Sequence, residues 1–459
     1  MSTPHDYAHA NAEHFRNQLF DLLRIPSISA YTKTHSDKVR AAAQWLAADL
    51  RAIGVSAVEV LETPGHPVVY GEWMGAGEGA PTVLIYGHYD VQPADKVKDK
   101  WSSEPFEPEI RDGILYARGS SDDKGQAFIH VKAVEAYLKT VGKLPVNVKF
   151  LLEGEEEVGS PNLQPFIAAN VEKLKADVCL ISDSGMPTID QPAVITSVRG
   201  LTYMEIHVWG PALDLHSGQY GGVVHNPALA LVQILSKMHN ADNSIAVPGF
   251  YDDVLPLTPA DREALARTDI PEEILRRDSG VPALWGEPGY NNREKTGARP
   301  TFEINGLYSG HIEEGAKTVL PARAMAKVSC RLVANQDTMR IYEQVRDYVA
   351  SITPPTVHSE VKLLNRGEPA TIPIDNPAIQ AAARAYAKSW GGQPPLFLRE
   401  GGSIPVVADF QRYLHTPVVM MGYGLNNDGA HGPDEHFSVE MFHRGIDTAI
   451  TFLEEVSRI

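Results

Sequence analysis

Alternation of short apolar runs with helical segments is the feature that most restricts the fold of this 459-residue chain. Runs such as Thr82–Tyr86, Val146–Leu152 and Asp177–Ile181 are apolar and rich in β-branched or aromatic residues, which predicts buried strands. The segment Gln126–Val141 is predicted to be an amphipathic helix between the first two of them. Strands that alternate with helices indicate a mostly parallel sheet with helices on its faces.

The pattern changes in the middle of the chain and then returns. Between residues 194 and 369, Leu201–Trp209, Ala324–Val333 and Thr356–Leu364 predict strands of an antiparallel sheet accompanied by helices. We therefore expect an α/β domain at residues 1–193 and 370–459, interrupted by a smaller α+β domain at 194–369. Within the smaller domain, Val247–Pro300 has weak periodicity, and stretches of that length are usually functional covers or insertions.

Composition restricts the compartment and the partners. The formal net charge of −17 argues against nucleic-acid binding, which needs a basic surface. The two cysteines, Cys179 and Cys330, lie in apolar runs and are expected to be buried free thiols, as in a reducing compartment. The polar N-terminus has no apolar signal region, and no stretch approaches the roughly 18 apolar residues of a membrane span. We expect a soluble cytoplasmic protein with no membrane partner.

Acidic residues and histidines follow five of the predicted strands. If these strands are neighbours in one sheet, their carboxyl ends place the polar groups at one edge, where sites of open α/β sheets lie. Unpaired carboxylates that converge would repel one another, whereas divalent cations remove the conflict, and a mixed His/Asp/Glu set suits zinc, cobalt or manganese. The groups concerned are His88 and Asp90, Asp122 and Asp123, Glu153–Glu157, Asp183, and the segment Ala430–His436.

Charge balance favours two metal ions. Two divalent ions carry four positive charges, which three carboxylates and a bridging hydroxide would neutralise, and one aspartate commonly bridges ions about 3.5–4 Å apart. Each group also has a local interpretation. Asp122 and Asp123 could begin a helix, Glu155–Glu157 could be a solvated acidic turn, and His88 with Asp90 could be a structural hydrogen-bonded pair. Their repeated occurrence after strands favours the metal site.

Other hydrolase motifs are missing from the sequence. There is no Gly-x-Ser-x-Gly motif, which argues against an α/β-hydrolase serine site. There is also no His-Glu-x-x-His, the motif of helical single-zinc peptidases.

Seven motifs together resemble one family. In chain order they are Gly87–Pro93, Ala117–Gly125, Glu153–Ser160, Ser182–Asp183, Leu215–Gly218, Arg399–Pro405 and Ala430–His431. With these motifs the chain resembles the carnosinase/aminoacylase family of dinuclear zinc peptidases, and within it the branch of cytosolic non-specific dipeptidases and carnosinases. The resemblance spans nearly the whole chain and is weakest at Val247–Pro300.

The resemblance implies roles for individual residues. His88, Asp122 and Asp183 would hold one metal, and Asp122 would bridge to a second metal held by Glu157 and His431. His436 is close enough in sequence to compete with His431, whose small neighbours match the motif better. Glu156 stands at the position of the general base, and Asp90 at that of the acid that orients the first histidine, since a ligand histidine needs an acceptor for its other nitrogen. A cis peptide is implied between Asp122 and Asp123.

Substrate contacts are implied in the same way. The oxyanion of the reaction needs a hydrogen-bonding or positive group, and His216 is the candidate. The resemblance places it in the active site of the partner subunit, so that a homodimer is the working assembly. Arg331, Gly402 and Ser403 resemble a clamp for the terminal carboxylate of the substrate, a task that suits the bidentate guanidinium of arginine. The larger domain would then be catalytic and the smaller one a lid and dimerisation domain.

The predicted function is metal-dependent hydrolysis of the amide bond of dipeptides, with a metal-bridging water as nucleophile and Glu156 as general base. Two divalent ions per subunit are implied, with Zn²⁺ preferred and Mn²⁺ or Co²⁺ as alternatives. N-acyl amino acid deacylases and glutamate-releasing carboxypeptidases share the scaffold and remain alternatives. A non-catalytic metal-dependent binding protein is the alternative from another class, but such a protein would have no use for Glu156.

Overall fold

The computed structural model describes residues 2–402 and 404–459. Its strands are β1 Ala57–Leu61, β2 Val68–Trp73, β3 Thr82–His88, β4 Glu109–Arg111, β5 Ile114–Tyr116, β6 Asn147–Glu153, β7 Val178–Ile181, β8 Gly185–Met186, β9 Ala193–Val198, β10 Gly200–Trp209, β11 Leu215–His216, β12 Thr301–Ser309, β13 Val319–Leu320, β14 Arg323–Leu332, β15 His358–Gly367, β16 Ala370–Thr371, β17 Leu396–Arg399, β18 Val418–Met420, β19 Gly424–Leu425 and β20 His436–Ser438.

The α-helices follow the same order along the chain. They are α1 Pro4–Ala10, α2 Ala12–Leu23, α3 Ser36–Ile53, α4 Lys124–Thr140, α5 Leu163–Ala169, α6 Val171–Leu174, α7 Ser217–Tyr220, α8 Pro227–Leu235, α9 Pro259–Arg267, α10 Glu272–Ser279, α11 Asn292–Gly297, α12 Thr338–Ile352, α13 Pro377–Ser389, α14 Pro405–Asp409 and α15 Val439–Val456. A 3₁₀ turn covers Glu156–Val158, and a π-helical turn covers Phe410–Leu414. Among the described residues, no helix combines the length and the apolar character needed to cross a membrane.

The chain forms two compact units. The first contains Met1–Thr196, Ile372–Phe397 and Asp409–Ile459, and the second contains Ser197–Thr371 and Leu398–Ala408. The segment Leu398–Ala408, which the sequence pattern assigned to the larger domain, therefore belongs to the second unit. The strand Ala193–Val198, which the sequence pattern grouped with the smaller domain, pairs instead within the large sheet.

The large sheet has the order β1-β2-β6-β3-β7-β18-β9-β16, with β17 paired to β9. The central strands β6, β3, β7 and β18 are parallel, and the strands on both sides of them are antiparallel. Both β3 and β6 are buried along their whole length, and each contains a continuous apolar run, Val83–Tyr86 in β3 and Phe150–Leu152 in β6. The α/β class predicted from the sequence is confirmed.

Helix α4 packs on this sheet and is more deeply buried than its sequence suggested. Every residue from Lys124 to Tyr137 is buried, so the prediction of an amphipathic helix is wrong. The reason is that its polar residues have buried partners. The ammonium group of Lys132 donates to Gln18, Asp49 and Glu135, and the ring of His130 lies 2.6 Å from the hydroxyl of Ser182.

The second unit is an α+β structure. Its four-stranded antiparallel sheet has the order β12-β14-β10-β15, and β10 alternates buried and partly buried residues because α8 and α12 cover one face. The core includes Met204, Ile206, Val328 and Val345. The stretch with weak periodicity, Val247–Pro300, contains the short helices α9, α10 and α11.

Candidate metal centre

The carboxyl ends of the central parallel strands bring the candidate ligands together. Strand β3 pairs in parallel with both β6 and β7, so His88, Glu153 and the residues after Ile181 reach the same edge. Helix α4 begins beside this edge. A Cβ atom on Gly87 would lie 2.6 Å from the Cβ of Ala127, so the missing side chain lets α4 approach β3 and bring Asp122 to His88.

One triad consists of His88, Asp122 and Asp183, whose ligand atoms all lie within 4.8 Å of one another. The Nε2 atom of His88 is 3.1 Å from Asp122 Oδ1 and 3.8 Å from Asp183 Oδ2. The histidine is buried, and its other ring nitrogen lies 3.1 Å from the main-chain oxygen of Asp90. A histidine held in this way presents Nε2 to the other two groups.

A second triad consists of Asp122, Glu157 and His431. The Nε2 atom of His431 lies 3.0 Å from Asp122 Oδ2 and 3.2 Å from Glu157 Oε2. Asp122 therefore offers one oxygen to each triad. His436 is in neither triad, because its Nδ1 lies 2.8 Å from the main-chain oxygen of Asp434 and its ring packs on Tyr116. The peptide bond between Asp122 and Asp123 is cis.

The electrostatics of the site favour bound cations. Burial, followed by the charge of Asp122, raises the pKa of Asp183 to about 7. Hydrogen bonds to Asp122 and Glu157 raise the pKa of His431 to about 10. Burial opposes the charged form of His88, but hydrogen bonds to Asp122 and Asp90 hold its pKa well above the usual range. Without metal, the raised pKa values favour protons on Asp183, His88 and His431. The donor set of two histidines and three carboxylates fits a pair of divalent ions that would replace these protons.

Asp90 contacts both halves of the site. Its carboxylate lies 3.4 Å from Nδ1 of His88 and accepts hydrogen bonds from the main-chain N–H groups of Glu156 and Glu157. Asp90 is fully buried, so these contacts are shielded from water. One carboxylate thereby fixes the ring of His88 and the turn that carries the neighbouring acids.

The three adjacent glutamates of that turn have different surroundings. Glu155 accepts a hydrogen bond from Asn162, and Glu157 accepts one from Gln92 while it faces His431. Within the described residues, the carboxylate of Glu156 takes part in no hydrogen bond or ion pair. Burial, and after it the charges of Asp183, Glu153 and Glu157, hold the pKa of Glu156 well above its usual range. Glu156 is therefore available to a substrate or a water.

A family model for peptidase family M20/M25/M40 matches residues 84–455, which include both triads. The chain belongs to this family. It is 32% identical to the Cys-Gly metallodipeptidase dug1 of Schizosaccharomyces pombe, over 97% of this chain and 96% of that protein. It is 31% identical to the human Beta-Ala-His dipeptidase, over 86% of this chain and 78% of that protein. The solved M20 metallo-carboxypeptidase Sso-CP2 of Sulfolobus solfataricus has a TM-score of 0.86 at 31% identity and covers 97% of this chain, with 99% of its own length covered.

The other predicted site residues of this M20 peptidase lie in the second unit. His216 is exposed at the end of β11, and its Nδ1 accepts a hydrogen bond of 2.9 Å from the main-chain N–H of Gly218. The neutral ring therefore carries its proton on Nε2. Arg331 is partly buried on β14, and the main-chain oxygen of Gly402 accepts a hydrogen bond from Arg199. Ser403 lies outside the described residues.

Sequence reasoning predicted Asp90 as a support of the candidate ligands but missed Glu435. Glu435 is fully buried and accepts hydrogen bonds from the guanidinium of Arg118 and from the main-chain N–H groups of Gly119, Ser121 and Asp122. It thereby fixes the loop that carries the shared aspartate. The position of Glu435 in the segment Ala430–His436 pointed to the site. An acidic residue next to a histidine in sequence does not, however, reveal which donors its carboxylate binds.

Proposed function

We propose that this M20 peptidase is a metal-dependent dipeptidase. The observation that carries the proposal is the pair of His/carboxylate triads that share Asp122, with the carboxylate of Glu156 beside them and hydrogen-bonded to no other described residue. A binding protein would have no need for an additional, partly buried carboxylate at this place. The similarity to a Cys-Gly metallodipeptidase and a Beta-Ala-His dipeptidase supports dipeptides as the substrate class.

Two divalent ions are the proposed cofactors, with zinc preferred because histidine and carboxylate ligands suit it. His88, Asp122 and Asp183 would hold one ion, and Asp122, Glu157 and His431 the other. When bound, the ions would make a water acidic enough to attack at neutral pH and would polarise the scissile carbonyl. Their charge would also lower the pKa of Glu156, because it offsets the neighbouring carboxylates.

Glu156 is the proposed general base. It takes a proton from the attacking water and passes it to the leaving amine, and Asp90 holds both its main-chain N–H and the ring of His88 in place. His216 is the proposed donor to the oxyanion, since its Nδ1 is occupied and its Nε2 carries the proton. Arg331, Gly402 and Ser403 are the proposed clamp for the terminal carboxylate of the substrate.

A homodimer in which His216 serves the partner's site is the proposed assembly. The second unit exposes large apolar side chains, among them Leu229 and Val232 on α8 and Leu307 and Tyr308 on β12. Exposed apolar side chains of this kind favour burial against another chain. We accordingly propose that the first unit is the catalytic domain, that the second unit is a lid and dimerisation domain, and that the protein is cytoplasmic, which agrees with the two buried free cysteines.

Replacement of Glu156 by Gln tests the mechanism. We expect both metals to remain bound and dipeptide turnover to fall by about 10²–10⁴-fold, the usual contribution of a general base. Glu155→Gln is the matched control, because the neighbouring carboxylate faces Asn162 and the same substitution there should leave turnover nearly unchanged. A panel of dipeptides and N-acyl amino acids separates the dipeptidase from a deacylase. Undiminished turnover in Glu156→Gln would exclude Glu156 as the base.

A further inference from the structure

A buried acid at the end of β6 has no role in the function proposed above. Glu153 is the last residue of this strand and is only 2% exposed. Its Oε1 atom accepts a hydrogen bond of 2.5 Å from the hydroxyl of Tyr86 and one of 2.9 Å from the hydroxyl of Ser160. Burial of a carboxyl group costs free energy unless hydrogen bonds replace the lost water. The two hydroxyl groups supply such bonds, and they connect the end of β6 to β3 and to the segment that follows β6.

Tyr86 is a firmly packed support for this acid. Its side chain is buried on β3, and its ring meets the ring of Phe410 edge-on, with 5.8 Å between the ring centroids. Strand β3 lies inside the large sheet, where it pairs in parallel with both β6 and β7. The carboxyl group of Glu153 is therefore held by the interior of the sheet.

Ser160 ends the turn of acidic residues that follows β6. Its φ angle is 49°, and its main-chain N–H donates to the oxygen of Glu155 at 2.8 Å. Just before it, the N–H of Gly159 donates to the main-chain oxygen of Glu156, also at 2.8 Å. A left-handed backbone conformation is unfavourable for a residue with a side chain and persists where surrounding contacts hold it. The hydrogen bond from Ser160 to Glu153 is a contact of this kind.

The turn thus has a separate support at each end. Asp90 holds the beginning, because its carboxylate accepts the first two main-chain N–H groups of the 3₁₀ turn. Glu153 holds the end, because it accepts the hydroxyl of Ser160. All of these residues belong to the first unit, which also contains both triads.

The two acids within the turn depend on these supports to different degrees. The carboxylate of Glu157 has a further anchor, since it accepts a hydrogen bond of 2.7 Å from the side chain of Gln92. The carboxylate of Glu156 has no hydrogen-bond partner in the part of the chain that the structure describes. Its position is therefore fixed chiefly by the main chain of the turn.

We infer that Glu153 and Ser160 are positioning residues that hold the carboxylate of Glu156 in place for proton transfer. The inference rests on the proposed function, in which Glu156 is the general base. A base must lie within hydrogen-bond reach of the proton that it takes. Release of the end of the turn lets Glu156 leave that position, whereas Glu157 stays in place through Gln92.

Ser160→Ala tests the inference, because it removes one hydrogen bond and leaves Glu153 paired with Tyr86. We expect kcat for dipeptide hydrolysis to fall about 2–10-fold, the size of one hydrogen bond, while KM is unchanged and two metal ions stay bound. Ser56→Ala is the matched control. Ser56 precedes β1 in the same unit, and its hydroxyl likewise donates to one oxygen, the main-chain oxygen of Glu72 at 2.9 Å. Loss of that bond should leave kcat unchanged.

Two replacements of Glu153 show whether its hydrogen bonds carry the effect. In Glu153→Gln the amide oxygen can accept both hydroxyl groups, so kcat should stay within about twofold of the wild-type value. In Glu153→Met neither hydroxyl is accepted, and we expect kcat to fall at least as far as in Ser160→Ala. Circular dichroism and metal analysis check that each variant is folded and loaded. An equal loss of kcat in Glu153→Gln and Glu153→Met would contradict the inference.

Combination with Glu156→Gln distinguishes positioning from a purely structural role. If Ser160 acts through Glu156, Ser160→Ala should cause no further loss of kcat in the Glu156→Gln enzyme. An equal loss in both backgrounds, an unchanged kcat in Ser160→Ala, or a loss of metal that accounts for its lower activity would each overturn the inference and leave the proposed function intact. Undiminished turnover in Glu156→Gln alone would contradict the proposed base and the inference with it, so the two failures are distinguishable.

Discussion

At the scale of single residues, the role of a carboxylate in this protein depends on the donors around it. Glu155, Glu156 and Glu157 are adjacent in sequence, yet their carboxylates differ in surroundings. Glu155 accepts a hydrogen bond from the amide of Asn162, and Glu157 faces His431, whereas the carboxylate of Glu156 has no partner among the described residues. Asp90 and Glu435 are both fully buried and accept main-chain N–H groups of the loops that carry the ligands. The triads are therefore held by acids that do not belong to them.

Replacement of Glu435 by Gln should weaken both the fold and the metal site. An amide cannot accept from Arg118 and three main-chain N–H groups at once, because one of its two terminal atoms is itself a donor. Arg118 is almost fully buried, and breaking a buried ion pair costs about 3–5 kcal/mol. Disturbance of the loop before Asp122 should also lower metal affinity about 10–100-fold. Urea unfolding and metal titration measure the two effects.

Glu440→Gln serves as the control for this substitution. Glu440 pairs with Arg444 one turn along α15 and is exposed, so loss of the pair should change the free energy of unfolding by only about 0–1 kcal/mol. Equal effects of Glu435→Gln and Glu440→Gln on unfolding and on metal affinity would show that Glu435 does not hold the loop.

At the scale of elements, the N-terminal helix α1 is attached to α15 by a histidine pair. Nδ1 of His5 lies 2.8 Å from Asp447, and Nε2 of His9 lies 2.7 Å from its other oxygen. The hydrogen bond to Asp447 raises the pKa of His5 above 6.5, and burial opposes it. Burial raises the pKa of Asp447, but the hydrogen bonds to His5 and His9 outweigh it and lower the value below 3.8.

The attachment of α1 should therefore weaken as the pH rises. A raised histidine pKa contributes stability that is complete below pH 6.5 and is lost as the pH rises through the folded value. Because His5 is partly exposed, we expect this contribution to be about 0.2–1 kcal/mol, and the hydrogen-bonded amides of α1 should lose protection from hydrogen exchange as the pH rises above 6.5. In His5→Gln, the protection corrected for the intrinsic exchange rate should depend less on pH, because of the two contacts only that between His9 and Asp447 remains. The same dependence in that variant would contradict the attachment through His5.

The elements that the sequence predicted well are those in which burial is complete. Strands β3, β6 and β7 each contain a continuous apolar run, because both faces of the central sheet are covered. Strand β12 was not predicted, since it is an edge strand with mostly partly buried or exposed residues and thus lacks a clear pattern. The prediction that α4 is amphipathic failed because its polar residues are also buried. Lys132 and His130, for example, lie inside the protein with hydrogen-bond partners.

The residues of the candidate site also fall into those that the sequence could predict and those that it could not. The sequence could point to the five candidate metal ligands, Asp90 and Glu156, because each follows a strand or lies in a family motif, and the structure brings the five ligands together as two triads. The buried acceptor Glu435 could not, because its role depends on three main-chain N–H groups whose positions only the fold defines.

At the scale of the whole molecule, the proposed assembly makes each active site depend on two chains. All five proposed metal ligands, Asp90 and Glu156 belong to the first unit, whereas His216, Arg331 and Gly402 belong to the second. His216 is exposed, with Nδ1 occupied by Gly218 and Nε2 left to donate to a group outside its own loop. A homodimer with closed symmetry would give two equivalent sites, each completed by the histidine of the other chain.

Mixing two inactive variants tests this dependence. His216→Ala chains and Glu156→Gln chains should each lack activity, but their heterodimer should contain one complete site, with Glu156 from one chain and His216 from the other. Random exchange of equal amounts makes half of the dimers heterodimers, so about a quarter of the wild-type activity should return. Differently tagged chains allow heterodimers to be isolated, and a mixture of the variants without subunit exchange is the control. Isolated heterodimers without activity would show that His216 does not act across the interface, because each variant would then lack an essential group in every site.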